Sequence, residues 1–95
     1  MKRLLVCLLL SLFVVGCGAS DGDKAVAEFN KGVDFSARKD WATAIACFDK
    51  AIQLEPDYAN AYIYRGAAYQ WLGNDVKADA DYARAKELRY EPEDE

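Results

Sequence analysis

The chain has 95 residues, contains no histidine and carries a net charge of −4 at neutral pH. This length allows one small domain with a core near the lower limit for independent folding, and it leaves no room for a separate substrate domain. The acidic balance disfavours nucleic-acid binding, which requires a basic patch. Without histidine there is no Ser-His-Asp or Cys-His arrangement and no histidine-based zinc motif. We therefore predict that the protein is not an enzyme and has no cofactor, metal site or small-molecule substrate.

The first segment, residues 1–16, has the layout of a signal peptide. Lys2 and Arg3 precede an apolar run from Leu4 to Val15 that is followed by small residues, which is the order typical of a secretory signal. The apolar run has 12 residues, whereas a membrane-spanning helix needs about 20. We expect this segment to be removed, and its removal would change the net charge from −4 to −6.

The end of this segment, Val14-Val15-Gly16-Cys17, resembles the bacterial lipobox, in which the cysteine is acylated and becomes the mature N-terminus. The resemblance implies a lipid anchor on Cys17 in a bacterial cell envelope. It also implies the outer membrane, facing the periplasm, if the host is Gram-negative, because Gly18 stands where inner-membrane lipoproteins often carry Asp. The alternative is an ordinary secretory cleavage site beside a cysteine. The residues up to Asp23 are small and polar, so residues 17–23 are predicted to be a lipidated N-terminus with a flexible tether.

From Lys24 onward the pattern is helical and repeats with a period of 34 residues. A period of this length indicates stacked helical hairpins. The like-for-like pairs at this spacing are Gly32 and Gly66, Phe35 and Tyr69, Ala44 and Ala78, Phe48 and Tyr82, Ala51 and Ala85, and Leu54 and Leu88.

Glycine and turn residues predict how each hairpin is built. Gly32 and Gly66 lie inside helices, where glycine costs about 1 kcal/mol relative to alanine, so we expect a close approach of a second helix to compensate. Lys39-Asp40 and Gly73-Asn74 are predicted to form the hairpin turns, with Asp40 and Asn74 as N-caps. Pro56-Asp57 is predicted to end the second helix and to cap the third.

The repeat pattern resembles the tetratricopeptide repeat from Ala25 to about Pro92. The resemblance implies an all-α fold of two tandem helix-turn-helix hairpins, about residues 25–58 and 59–92, which form a short right-handed solenoid after the signal peptide. Residues 91–95 would be an acidic tail. The family's small, aromatic and proline positions fall on Gly32, Phe35, Ala44, Phe48, Ala51 and Pro56 in the first repeat, and on Tyr62, Gly66, Tyr69, Ala78, Tyr82 and Ala85 in the second.

The chain departs from the family's pattern at its ends. Glu28 stands where the family prefers an aromatic residue, and Tyr90 replaces the expected proline. The tail is too short for the capping helix that the family usually adds, although about three repeats are normally needed for stability. Either a second copy or another protein covers the open face of the last helix, or polar residues already make that end soluble, with Asp75, Asp79 and Asp81 as the candidates.

In the resembling family, the first helix of each hairpin lines a concave groove that holds an extended peptide or a partner helix. Phe29 and Ile63 are the candidate apolar anchors, and Trp71 lies at the rim, where an exposed tryptophan would favour binding. The alternatives are inter-helix core for Phe29 and Val33, and packing of Trp71 on Tyr90 or the neighbouring turn. By spacing, the groove residues are Val26, Phe29, Val33 and Ala37 in the first repeat and Asn60, Ile63, Ala67, Gln70 and Trp71 in the second.

Three functional hypotheses remain open. The leading one is a membrane-anchored adaptor or scaffold that binds another envelope protein. The second is a self-associating structural lipoprotein, and the third is a glycan-binding accessory protein or an enzyme that uses Tyr62, Tyr64 and Trp71 as stacking surfaces. If Cys17 is acylated, Cys47 has no intramolecular disulfide partner, so we interpret Cys47 as a small apolar helix residue rather than a redox group.

Overall fold

A computed structural model describes residues 20–89, which form four α-helices and no strand. The helices are α1 (Asp21–Ala37), α2 (Trp41–Leu54), α3 (Ala59–Trp71) and α4 (Asp75–Arg89). α1 packs along α2, α3 packs along α4, and α2 packs against α3, so two hairpins stack side by side. This arrangement confirms the predicted all-α fold of tandem hairpins. Within the same residues no helix has both the length and the apolar character needed to cross a bilayer.

The first helix begins three residues earlier than the sequence pattern predicted. The hydroxyl of Ser20 accepts a hydrogen bond from the backbone amide of Asp23 at 3.2 Å, which caps a helix that starts at Asp21. Acidic residues in the first turn are also favoured by the helix dipole. Residues 21–23 therefore belong to the helix and not to a tether. The predicted signal peptide, the acylation site Cys17 and the acidic tail lie outside the described residues.

The two hairpin turns have the same structure, 34 residues apart. Lys39 and Gly73 occupy equivalent positions with φ angles of 64° and 84°. The side-chain oxygens of Asp40 and Asn74 each accept a hydrogen bond from the backbone amide three residues further along, at 3.3 and 3.2 Å. The two predicted N-caps are thus confirmed. Glycine adopts a positive φ without steric cost, whereas lysine at the first turn does not.

The start of the third helix differs from the prediction. Pro56-Asp57 does follow the end of α2, but the residue at the N-cap position of α3 is Tyr58, and no side chain caps this helix. The loop is held by aromatic side chains instead. The ring of Tyr58 lies 5.1 Å from that of Phe29 between centroids, and the hydroxyl of Tyr62 donates to the carbonyl oxygen of Pro56 at 3.0 Å.

The two helix pairs meet closely at the predicted glycines. Phe48 is the largest fully buried side chain among the described residues, and a Cβ atom placed on Gly32 would lie 2.4 Å from its ring. At the equivalent Gly66, a Cβ atom would lie 3.0 Å from the ring of Tyr82 and 3.2 Å from the carbonyl oxygen of Ala78. The close approach expected at both glycines is therefore confirmed, and it explains why a helix-weakening residue occurs there.

Candidate protein-interaction surface

The predicted groove residues lie on α1 and α3, the first helices of the two hairpins. None of them is charged, and they combine apolar side chains with two amides. Their exposure is mixed, so the surface they form is only partly open to a partner. Val26, Ala37, Asn60, Gln70 and Trp71 are exposed, and Phe29, Val33, Ile63 and Ala67 are half-buried.

Phe29 lies in an aromatic cluster between the two hairpins. Its ring centroid is 5.0 Å from that of Tyr64 in an edge-on contact, 5.1 Å from that of Tyr58 and 5.7 Å from that of Phe48. Burial raises the pKa of the Tyr58 phenol. These contacts connect α1 to α2, to the α2–α3 loop and to α3, which is the inter-helix role considered as the alternative for Phe29. Such aromatic pairs contribute about 0.5–1.5 kcal/mol each beyond the area they bury.

Trp71 stacks on Trp41, a partner that the sequence pattern did not identify. The two indole rings are almost parallel, with an interplanar angle of 3° and a centroid distance of 5.5 Å. Trp71 nevertheless remains 71% exposed, and the nearby Leu72 and Val76 are 54% and 81% exposed. The stack joins the end of α3 to the start of α2. The 34-residue period could not indicate it, because the residue equivalent to Trp41 is Asp75.

The side chain of Gln70 on α3 is hydrogen-bonded to the other helix of its hairpin, α4. Its side-chain oxygen accepts a hydrogen bond from the hydroxyl of Tyr82 on α4 at 2.8 Å. Burial, together with the charges of Asp79 and Asp81, raises the pKa of the Tyr82 phenol. The hydroxyl therefore stays protonated and remains a donor at neutral pH. Gln70 is exposed, and its NH2 group remains available as a donor to a partner.

Arg65 connects three helices through two carboxylates. Its Nε and Nη2 atoms donate to Asp81 on α4 at 2.9 and 2.7 Å, and its Nη1 atom donates to Asp49 on α2 at 2.8 Å. The guanidinium also lies over the ring of Tyr62, 5.4 Å from the centroid. The bonds to Asp81 and Asp49 raise the pKa of Arg65, against the lowering effect of burial.

The position of Asp81 corrects one sequence interpretation. Asp81 was a candidate for making the last helix soluble, but it is only 5% exposed. The equivalent residue in the first repeat is the buried Cys47, so this helix position faces the core in both hairpins. Asp75 and Asp79 are exposed as expected.

A cleft of about 450 Å³ lies where α2, α3 and α4 meet. Arg65 and its two carboxylates line it, together with Tyr69 and Lys77, whose ammonium lies 5.3 Å from the Tyr69 ring centroid. Within residues 20–89, every buried side-chain nitrogen or oxygen has a hydrogen-bond partner, and no cluster of residues suited to a metal ion occurs. We therefore interpret Arg65 and its two carboxylates as structural, since they are hydrogen-bonded to each other.

Cys47 is a buried free thiol on α2. Burial raises its pKa, and the charge of Glu28 adds to the effect. A thiol with a raised pKa is a weak nucleophile at neutral pH, because the thiolate is the reactive form. The structure thus agrees with the interpretation of Cys47 as a small apolar helix residue.

A family model described as TPR repeat matches residues 32–73. The matched region begins at the buried Gly32 of α1 and ends at the turn residue Gly73, so it contains the whole contact between α2 and α3. No curated protein matches the chain at a significant level. The match and the four-helix arrangement together support a protein built of tetratricopeptide-repeat hairpins. Repeats of this family are generally non-catalytic modules for protein–protein interaction.

Proposed function

We propose that this protein is a lipid-anchored adaptor or scaffold of the bacterial cell envelope that holds a segment of another envelope protein on the first helices of its two hairpins. The observation that carries the proposal is an uncharged stripe of partly open side chains on α1 and α3. A protein-interaction repeat matches residues 32–73, which include the end of α1 and all of α3. An apolar or amphipathic segment suits such a surface, because binding there leaves no buried charge unpaired.

The contact residues differ in their expected contributions. Val26, Val33, Ile63 and Ala67 provide apolar or small side chains that are exposed or half-buried. Phe29 supports this surface from beneath, because three neighbouring aromatic rings already contact its ring. Ile63 is therefore the better apolar anchor of the two residues selected from the sequence.

The polar outer side of α4 favours a different protein as the partner over a second copy. In the first hairpin, Ile52 is half-buried beside the neighbouring α3, whereas its equivalent in the second hairpin is the exposed Lys86. The exposed Asp79 lies on the same helix. Stacking another hairpin on α4 would remove water from these charges, which costs free energy unless they are paired.

The glycan-binding hypothesis has less support from the described contacts. The ring of Tyr62 lies under the Arg65 guanidinium, and its hydroxyl is bonded to the carbonyl oxygen of Pro56. The ring of Tyr64 packs against Phe29. Two of the three proposed stacking surfaces are therefore already used within the domain.

The anchor is the part of the proposal that rests on the sequence alone. The order Val14-Val15-Gly16-Cys17 after an apolar run supports acylation at Cys17. Growth with a clickable fatty acid should label the wild-type protein and should not label Cys17→Ser. Equal labelling of both proteins would exclude Cys17 as the acylation site.

Photocrosslinking in cells tests the adaptor function directly. A photoreactive residue replaces Ile63 on α3, and in a matched control it replaces the exposed Ala83 on α4. The expected result is one adduct with a distinct envelope protein from position 63 and none from position 83. Self-adducts from position 63, or the same adducts from both positions, would overturn the proposal.

A further inference from the structure

We propose that one end of the domain, formed by Trp41, Trp71, Leu72 and Val76 and called the distal end here, points away from the anchoring membrane and contacts a short apolar segment of a protein partner. This inference rests on the lipid attachment at Cys17 proposed above. It adds to that proposal an orientation of the domain and a second contact surface.

The N-terminus of α1 and the distal end lie at opposite ends of the first hairpin. Near the start of α1, a Cβ atom on Gly22 would lie 3.6 Å from Oε1 of Glu55, which follows the end of α2. At the other end, Trp41 begins α2 and stacks on Trp71, the last residue of α3. The 17 residues of α1 span about 25 Å at a rise of 1.5 Å per residue.

The short connection to Cys17 holds the start of α1 near the lipid. Only Gly18, Ala19 and Ser20 separate Cys17 from the first helical residue, and Ser20 is already used as the N-cap. At no more than about 3.5 Å per residue, this connection spans about 14 Å at most. α1, at about 25 Å, is longer than this connection. When the start of α1 faces the membrane and the helix is upright, the distal end therefore lies farther from the lipid than the connection can extend.

Electrostatics disfavour a tilt that would lower the distal end onto the same membrane. From Cys17 to the C-terminus the side-chain charge is −6, and a bilayer surface that contains anionic lipids repels such a chain. Three cations, Arg38, Lys39 and Lys77, lie near the distal end on the described exposed surface. Arg38 pairs with Asp34 at 3.0 Å, and Asp40 and Asp75 accompany the two lysines, so these cations do not form the uncompensated basic cluster that attracts proteins to anionic lipids. Lipid is therefore not the expected occupant of the apolar distal end.

The size and chemistry of the distal end fit a short peptide segment. One indole face and two aliphatic side chains offer a few hundred Å² of apolar surface, roughly, whereas a stable dimer needs about 800 Å² from each partner. The parallel stack on Trp41 holds Trp71 in place before binding, which lowers the entropy cost of contact. An apolar segment that contains aromatic or proline side chains matches the flat indole face.

Tryptophan fluorescence tests the orientation without any label. The chain has two tryptophans, and both lie at the distal end. The lipidated mature protein is reconstituted in phosphatidylethanolamine–phosphatidylglycerol vesicles with and without brominated acyl chains. The expected result is strong quenching by aqueous acrylamide and no quenching by the brominated lipid. Quenching by brominated lipid would overturn the inference. Vesicle flotation, compared with Cys17→Ser, reports anchoring separately, so a failure of the anchor is distinguished from a failure of the orientation.

Crosslinking from the distal end tests the occupant. A photoreactive residue replaces Val76, which is 81% exposed, and the adduct is mapped to a peptide by mass spectrometry. The expected adduct is an apolar segment of a different protein, with a yield that falls about tenfold in Trp71→Ala and is unchanged in the α4 control Lys86→Ala. An adduct with lipid, with a second copy or with a charged segment would overturn the inference. Adducts from position 63 without any from position 76 would overturn it while leaving the adaptor function standing.

Discussion

Arg65 on α3 and Asp81 on α4 form a bidentate ion pair, with N···O distances of 2.9 and 2.7 Å. Because the third bond of Arg65 reaches Asp49 on α2, one side chain links the second hairpin to the first. Paired bonds of this geometry are stronger than single neutral hydrogen bonds. Between the two hairpins of residues 20–89, this link adds to the stacking contacts by which repeat proteins are stabilised.

Replacing Arg65 should strongly destabilise the domain. In Arg65→Leu the buried carboxylate of Asp81 loses its partner, and we expect the free energy of unfolding to fall by about 3 kcal/mol. The measurement is urea unfolding followed by far-ultraviolet circular dichroism. The double variant Arg65→Leu/Asp81→Leu should recover more than half of the loss, since the carboxylate that remains, that of Asp49, is 43% exposed to water. The exposed ion pair between Arg84 and Glu87, at 3.1 Å, is the control. Arg84→Leu should show no measurable change, and equal losses in Arg65→Leu and Arg84→Leu would refute the structural role.

Adding a methyl group at Gly32 should destabilise the first hairpin. The new Cβ atom would lie 2.4 Å from the ring of the fully buried Phe48, so the ring or the helix must shift. We expect Gly32→Ala to cost about 2 kcal/mol, although alanine by itself would favour the helix by about 1 kcal/mol. Gly66→Ala should cost less, because its closest contact is 3.0 Å. Calorimetric melting of both variants checks the order, and a more stable Gly32→Ala would contradict it.

Substitutions at the positive-φ residue of each turn should change stability in opposite directions, because one turn has lysine there and the other has glycine. Lys39 adopts a φ of 64° that glycine accepts without cost. Lys39→Gly should therefore stabilise the protein by about 1 kcal/mol, and Gly73→Ala, at a φ of 84°, should destabilise it by about the same amount. Thermal unfolding midpoints provide the test. A lower midpoint for Lys39→Gly would show that the lysine side chain stabilises the folded protein by more than its positive φ destabilises it.

Cys47 should be nearly inert in the folded protein at neutral pH. A thiol reagent should modify it far more slowly in buffer than in urea, measured on Cys17→Ser lacking residues 1–16 so that no other cysteine reacts. Because burial raises its pKa, the folded state holds the thiol proton more tightly than the unfolded state. The corresponding stability is fully present below about pH 8.5, and it is lost as the pH rises through the folded-state pKa. Cys47→Ala should remove that part of the pH dependence, and modification at the unfolded rate in buffer would disprove burial.

The stack of Trp41 and Trp71 should contribute modestly to the free energy of unfolding and strongly to the near-ultraviolet circular dichroism spectrum. Trp71→Ala should lower the free energy of unfolding by about 1 kcal/mol and should remove most of the near-ultraviolet circular dichroism that arises from coupled indole rings. Val76→Ala is the control, because this side chain is mostly exposed and should change neither quantity. An unchanged near-ultraviolet spectrum in Trp71→Ala would mean that the rings do not stack in solution.

Features that depend on local sequence were predictable. The period of 34 residues identified two equivalent hairpins, and the caps at Asp40 and Asn74 follow from residue types placed at a turn. Gly32 and Gly66 were predicted to mark close helix contacts, because an interior glycine needs a compensating reason. In each case the deciding interaction joins residues within one hairpin.

Features that break the repeat were not predictable from it. Trp41 and Trp71 are not equivalent positions, and their equivalents Asp75 and Ala37 give no hint of a stack. The charge of Asp81 suggested a surface position, yet the residue lies in the core at a position equivalent to the buried Cys47, and Arg65 on the neighbouring helix pairs with it. The start of α3 was misjudged for a similar reason, since aromatic contacts of Tyr58 replace a polar cap.

By itself, the amino-acid sequence determined the helices, their pairing into two hairpins and the positions of both turns, because backbone preferences and helical periodicity act over short separations. Only the tertiary structure decided which side chains meet between the hairpins: Phe29 among three aromatic rings, Arg65 between two carboxylates and Trp71 on Trp41. Those contacts depend on the relative position of helices that are distant in sequence. That position results from the packing of the whole domain and not from any single segment.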